Sequence, residues 1–129
     1  MTRSDEKLPT VLIAEDEALL RVTGALIFSK AGFHPIEAVS ADHALELLRG
    51  ATVHLLFTDI HMPGTMDGLA LAHHVAAHWP GIAILIASGR RFLSPSEMPA
   101  GARFHQKPYD PGLLIQHARE LVAARPQAI

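Results

Sequence analysis

Thr58-Asp59-Ile60-His61-Met62-Pro63 closes an apolar run, Val53 to Phe57 broken only by His54, with a carboxylate and then a turn. A short apolar segment that stops on Asp and then Pro-Gly reads as a buried parallel strand that delivers one carboxylate to its C-terminal edge. In open α/β sheets that edge is where ligands bind. A lone Asp in such a place can equally serve as a turn or helix cap, so its weight depends on what the rest of the chain brings to the same edge.

Working outward, Thr10-Val11-Leu12-Ile13-Ala14 is a second short strand ending in acid, Glu15-Asp16-Glu17. From Glu17 to Ala31, Leu19, Val22, Leu26 and Ile27 recur at helical spacing, and Gly32 marks the stop. His34 to Val39 is a weaker strand, and Ser40 caps a helix carrying Ala44, Leu45 and Leu48 up to Gly50. Beyond the Asp59 strand, Asp67 caps a helix through Leu69, Ala72, Val75, Ala76 and Trp79, closed by Pro80-Gly81. Ile82 to Ala87 is a strand ending on Ser88-Gly89, and Ala102 to Gln106 a short one ending on Lys107-Pro108. Asp110-Pro111 opens a last helix through Leu114, Ala118, Leu121 and Val122. The stretch Arg90 to Gly101, with Pro95 and Pro99, holds one helical turn at most.

Strands alternating with helices over short connections imply right-handed crossovers and a parallel sheet covered on both faces. The expectation is one doubly wound α/β domain over residues 10–125, with its fourth helix shortened or irregular, a flexible N-terminal tail at 1–9 and a C-terminal tail at 126–129. The 129 residues, 49% apolar and 19% charged, suit a single core. A net charge of −2 without a basic run gives no footprint for direct nucleic-acid binding. The absence of cysteine excludes disulfides, thiolate catalysis and Cys-based zinc sites. Residues 1–9 carry no apolar signal core, and no stretch approaches the ~20 apolar residues of a membrane span, so the expected location is the cytoplasm, away from the membrane.

In a parallel sheet the C-terminal strand ends converge, bringing Glu15, Asp16, Asp59, Ser88 and Lys107 to one crevice. Three carboxylates together need a cation, and hard oxygen ligands with room for water suit Mg²⁺ or Mn²⁺. Such a metal serves an anionic phosphoryl group, which Lys107 meets as a charge and Ser88 as a hydrogen-bond donor.

In these residues the chain resembles the receiver domains of two-component response regulators, from about Thr10 to Ala124. The motifs are Glu15-Asp16, Asp59 followed by Met62-Pro63 and Asp67-Gly68, Ser88-Gly89, and Lys107-Pro108, in that order. The resemblance implies a flavodoxin-like strand order 2-1-3-4-5, and Asp59 as phosphoacceptor from a phosphohistidine. It implies Mg²⁺ on Asp16, Asp59 and the His61 backbone carbonyl, with Glu15 acting mainly through metal-bound water. Ser88 and Lys107 would hold the phosphoryl group, Phe104 would be the switch aromatic that follows Ser88, and Lys107-Pro108 falls where the family commonly has a cis peptide. The chemistry would be limited to self-phosphorylation and self-dephosphorylation rather than enzymatic turnover. The partners implied are a sensor histidine kinase or phosphotransfer protein, a downstream protein target and, as an option, a second copy of the chain.

The departures from the family pattern are Glu15 for the commoner Asp and Arg90 to Gly101 in place of a regular fourth helix. His61 and Arg90 flank the route for attacking water and so tune the lifetime of an aspartyl phosphate. No output domain follows, which suggests a stand-alone regulator that docks, shuttles or drains phosphate, or else the receiver part of a longer protein. Two rivals stand beside this reading: a Mg²⁺-dependent phosphohydrolase using Asp59 as nucleophile, and a degenerate receiver that binds partners without phosphorylation. Of the nine histidines, His73, His74 and His78 read as a solvent-facing helix surface, and His105 as edge decoration. Trp79 reads as packing.

Overall fold

β-Branched and leucine-rich runs with no charge inside them give β1 (Thr10–Ala14), β3 (Leu55–Asp59) and β4 (Ala83–Ser88), and these occupy the sheet centre because both their faces are apolar. The flanking strands β2 (His34–Ala38) and β5 (Arg103–Gln106) carry polar residues and stand at the edges. All pairings are parallel, and the order is β2-β1-β3-β4-β5. This computed structural model describes residues 8–125, so the expected tail at 126–129 and residues 1–7 of the other lie outside the described residues.

Four helices cover the two faces: α1 (Ala18–Lys30), α2 (Ala41–Gly50), α3 (Gly68–His78) and α4 (Pro111–Ala124). Successive strand residues point to opposite sides, so Leu12, Leu56, Ile84 and Ile86 pack under α2 and α3, while Val11, Ile13, Leu55, Phe57, Leu85 and Ala87 pack under α1 and α4. The sequence caps hold. Ser40, Asp67 and Asp110 each accept a hydrogen bond from a backbone N–H in the first turn of α2, α3 and α4 respectively.

Between β4 and β5 the chain forms only a 3₁₀ turn, Pro95–Glu97, as the closely spaced prolines require. This is the irregular fourth helix expected from the sequence.

Two sequence expectations are corrected here. Leu19, Val22 and Leu26 do not face the core: they are 79%, 46% and 56% exposed, and α1 instead buries Gly24, Ala25 and Phe28. Small residues at the contact let α1 lie close to the sheet, with Ile13 and Phe57 against Gly24. Nor is His105 edge decoration. It pairs in register with Ala87 on the side covered by α4, is 6% exposed, and lies with its Nε2 2.9 Å from His117 Nδ1.

Candidate functional site

Strand register decides which residues meet. Ala14, Thr58, Ile86 and Phe104 form one row across the sheet. Glu15 and Asp59 sit one residue beyond that row, Ser88 two and Lys107 three, so all four rise at the same edge. There Asp59 and Lys107 line a crevice of about 600 Å³, together with Asp16, His61 and Arg90, while Glu15 and Ser88 lie buried beneath the same edge.

Carboxylate oxygens of Glu15, Asp16 and Asp59 lie within 4.8 Å of one another. Lys107 Nζ donates to Glu15 Oε1 at 2.9 Å and reaches Asp59 Oδ1 at 3.0 Å, so one ammonium bridges two of the three acids. Burial pushes the Glu15 carboxyl above its ordinary pKa, more than Lys107 and the Glu17 N–H pull it back. Burial also works against the Lys107 ammonium, but its hydrogen bonds and charge attraction to Glu15 and Asp59 outweigh it and hold the pKa above the usual lysine value. With all three acids ionised, the single ammonium leaves two negative charges unbalanced, the charge of one divalent cation. Clustered hard oxygens with an open crevice fit Mg²⁺, which takes few protein ligands and keeps water.

The carboxylates are aimed by backbone. Glu15 N–H donates to Ala38 O at 3.0 Å, and Glu17 N–H donates to Glu15 Oε2 at 3.1 Å. Thr58 Oγ1 donates to Asp59 O at 2.8 Å, and Gly68 N–H donates to Ile60 O, which locks the start of α3 onto the end of β3. At Gly68 the approach is so close that a Cβ would stand 1.6 Å from Asp59 O and 2.8 Å from Thr58 Oγ1. Only glycine fits there. The sequence marked this position within Asp67-Gly68 but gave no sign of its steric role. Leu20, which also borders the crevice, was not anticipated either.

Ser88 is fully buried, and its hydroxyl accepts from the Arg90 and Arg91 N–H groups at 3.3 and 3.2 Å, turned to the following loop rather than bonded to Asp59. Phe104 is half-buried and stacks on Phe92, with centroids 5.4 Å apart and planes 24° from parallel. The Lys107-Pro108 peptide is cis. His61 is exposed at the crevice. His74 and His78 stack at 4.1 Å on the outer side of α3, away from the crevice, and Trp79 packs against the core as expected.

The family model of the response regulator receiver domain matches residues 11–119. The chain is 33% identical over 115 residues to the response regulator receiver protein CpdR of Brucella abortus, covering 87% of this chain and 89% of that one. It is 30% identical to the sensor kinase CckA of the same organism, over 88% of this chain but only 12% of the kinase. In three dimensions it is similar to a response regulator receiver protein from Sinorhizobium medicae, with a TM-score of 0.86, 29% identity, and 93% and 98% of the two chains covered. No helix among the described residues is long and apolar enough to cross a membrane.

Proposed function

The chain belongs to the response regulator receiver domain family, and from that premise we propose that it is a phosphorylation-operated switch with Asp59 as phosphoacceptor. A carboxylate oxygen of Asp59 attacks the phosphorus of a phosphohistidine on a sensor kinase or phosphotransfer protein. The new P–O bond forms as the P–N bond breaks, and the electron pair of that bond stays on the imidazole nitrogen. Asp16, Asp59 and the His61 backbone carbonyl, with Glu15 through water, would hold Mg²⁺, or Mn²⁺ in its place. When bound, that ion neutralises charge on the phosphoryl oxygens.

The observation that carries this reading is the carboxylate trio within 4.8 Å with Lys107 on two of its members. Lys107 already touches Asp59 Oδ1, so its ammonium is at hand for a phosphoryl group bound there. Ser88 then exchanges the Arg90 and Arg91 amides for a phosphoryl oxygen. Phe104 leaves Phe92 and turns inward, so the population shifts between two surfaces and the output is a changed partner affinity. Water attack on the aspartyl phosphate later restores Asp59.

The donor's docking surface lies beside the acid cluster. Leu20 borders the crevice, and Leu19, Val22 and Leu26 are further exposed apolar residues on the same helix, α1. Exposed apolar residues on a helix beside a reactive crevice suit a protein that must bring its own histidine to Asp59.

The test is intact mass after incubation with Mg²⁺ and acetyl phosphate. One added phosphoryl group, absent in Asp59→Asn and abolished by chelator, supports the proposal. No gain from acetyl phosphate or from any histidine kinase leaves the fold as a binding module without phosphorylation. Continued turnover of small phosphate esters would instead make it a phosphohydrolase.

A further inference from the structure

Asp16 is the least supported of the three acids. Its side chain is exposed and enters no hydrogen bond or ion pair among the described residues, whereas Glu15 and Asp59 are both tied to Lys107. An exposed carboxylate holds a cation in a defined place only where the backbone that carries it is held. That backbone is the planar peptide unit joining Glu15 to Asp16, which ends in the Glu15 carbonyl oxygen.

Arg21 grips this oxygen. Its Nη1 donates to Glu15 O at 3.0 Å, and its Nε donates to Glu37 Oε1 on β2 at 3.1 Å. The guanidinium thus reaches from the start of α1 to the neighbouring edge strand, with its side chain only 16% exposed. Together with the Glu15 N–H bond to Ala38 O, this anchors the acid-bearing loop to β2 on both sides of Glu15. A cation so near a helix N-terminus gains nothing from the helix dipole, so the value of Arg21 lies in these two directional bonds.

We propose that Arg21 is a positioning residue for the divalent-cation site. It holds the Glu15–Asp16 peptide plane, fixes the direction of the Asp16 carboxylate, and so strengthens cation binding. Glu37 aims the guanidinium. The inference rests on the receiver reading above. Electrostatics alone predicts the reverse: removing a positive charge close to a cation site relieves repulsion and tightens binding. Lysine keeps the charge but lacks the rigid planar fork of N–H donors with which the guanidinium fixes both acceptors at once.

The test is titration of the full chain with Mn²⁺, following free Mn²⁺ by electron paramagnetic resonance, with no phosphodonor present. Arg21→Met is expected to weaken binding about 10-fold, in the range found when groups supporting metal ligands are removed. Arg21→Lys is expected to weaken it by a similar factor at unchanged charge, and it answers the question should Arg21→Met fail to fold. Glu37→Gln, which keeps an oxygen acceptor for Nε, is expected to stay within about twofold of the unsubstituted chain. Binding by Arg21→Lys as tight as by the unsubstituted chain, or tighter binding by Arg21→Met, would overturn the proposal while leaving the receiver reading intact. No Mn²⁺ binding by the unsubstituted chain would overturn both.

Discussion

The acid side of the crevice and the segment that faces it are built in opposite ways. Glu15 and Asp59 share Lys107, the Glu15 backbone is bonded through both N–H and carbonyl, and α3 starts so close to β3 that no side chain fits at Gly68. Arg90 to Gly101 is pinned to the core at Leu93, 3% exposed, and otherwise hangs on lighter contacts: two amides on Ser88 Oγ, a hydrogen bond between His73 Nε2 and Glu97 O, an Arg91–Glu97 pair, a Ser94–Glu97 cap, and a stack whose outer ring, Phe92, is 73% exposed. On the proposed function, the acid side holds a cation and receives a phosphoryl group, and such a site gains from rigidity. A segment that reports the event gains from having little to break.

The contrast is tested most severely at Gly68. In Gly68→Ala the new methyl must displace the Asp59 backbone or the start of α3. Overpacking of this kind costs about 3 kcal/mol or more, read as a lower urea midpoint, with phosphorylation lost as well. Unchanged stability would mean that the acid side is softer than its geometry implies.

Next comes Lys107→Met, which leaves Glu15 and Asp59 facing each other without their shared cation. Breaking a largely buried pair in this way costs about 3 kcal/mol near neutral pH, less at acid pH, where Glu15 takes up a proton readily. Mg²⁺ should recover part of the loss. A melting temperature indifferent to both the mutation and the metal would remove Lys107 from the centre of the cluster.

A smaller effect is expected on the pH axis, away from the crevice. His54 Nδ1 accepts from the Thr10 N–H at 2.9 Å, and burial together with Arg125 lowers its pKa. His105 is lowered by burial, His117 and Arg103. Both groups prefer the neutral form in the folded chain. Their contribution to stability is therefore complete above the unfolded value of 6.5 and is lost as pH falls through the lower folded values. Urea midpoints at about pH 7.5 and about pH 5.5 should fall less far apart in His54→Asn, whose amide oxygen can still accept from Thr10. An equal or wider gap would contradict the assignment.

The smallest effect belongs to the looser region. Phe92→Ser should change stability by less than about 0.5 kcal/mol, as expected for a mostly exposed side chain. A loss several times larger would show that the Phe92–Phe104 stack is a structural clamp, and the contrast between the two regions would fail.

Much of this was legible in the sequence because the three central strands are buried on both faces and end abruptly in polar residues. Strand, helix and cap signals followed one another with little ambiguity, and a parallel sheet then forces Glu15, Asp59 and Lys107 to one edge. The orientation of α1 was not legible, since periodicity reports that a helix has an apolar stripe without saying which side meets the sheet. Gly24 and Ala25 won that contact through close approach, leaving Leu19, Val22 and Leu26 outside. His105 was misread because its burial depends on register with Ala87 and on the cover given by α4. Arg21 left no trace because its key acceptor is a backbone carbonyl, which no side-chain motif announces.

The central claim is that Asp59 itself takes the phosphoryl group. The direct measurement is borohydride reduction of the phosphorylated chain, which converts an aspartyl phosphate to homoserine, followed by peptide mass spectrometry. Homoserine at position 59 alone is the predicted result. Homoserine at position 16, or a phosphoryl group retained on a histidine such as His61, would contradict the account.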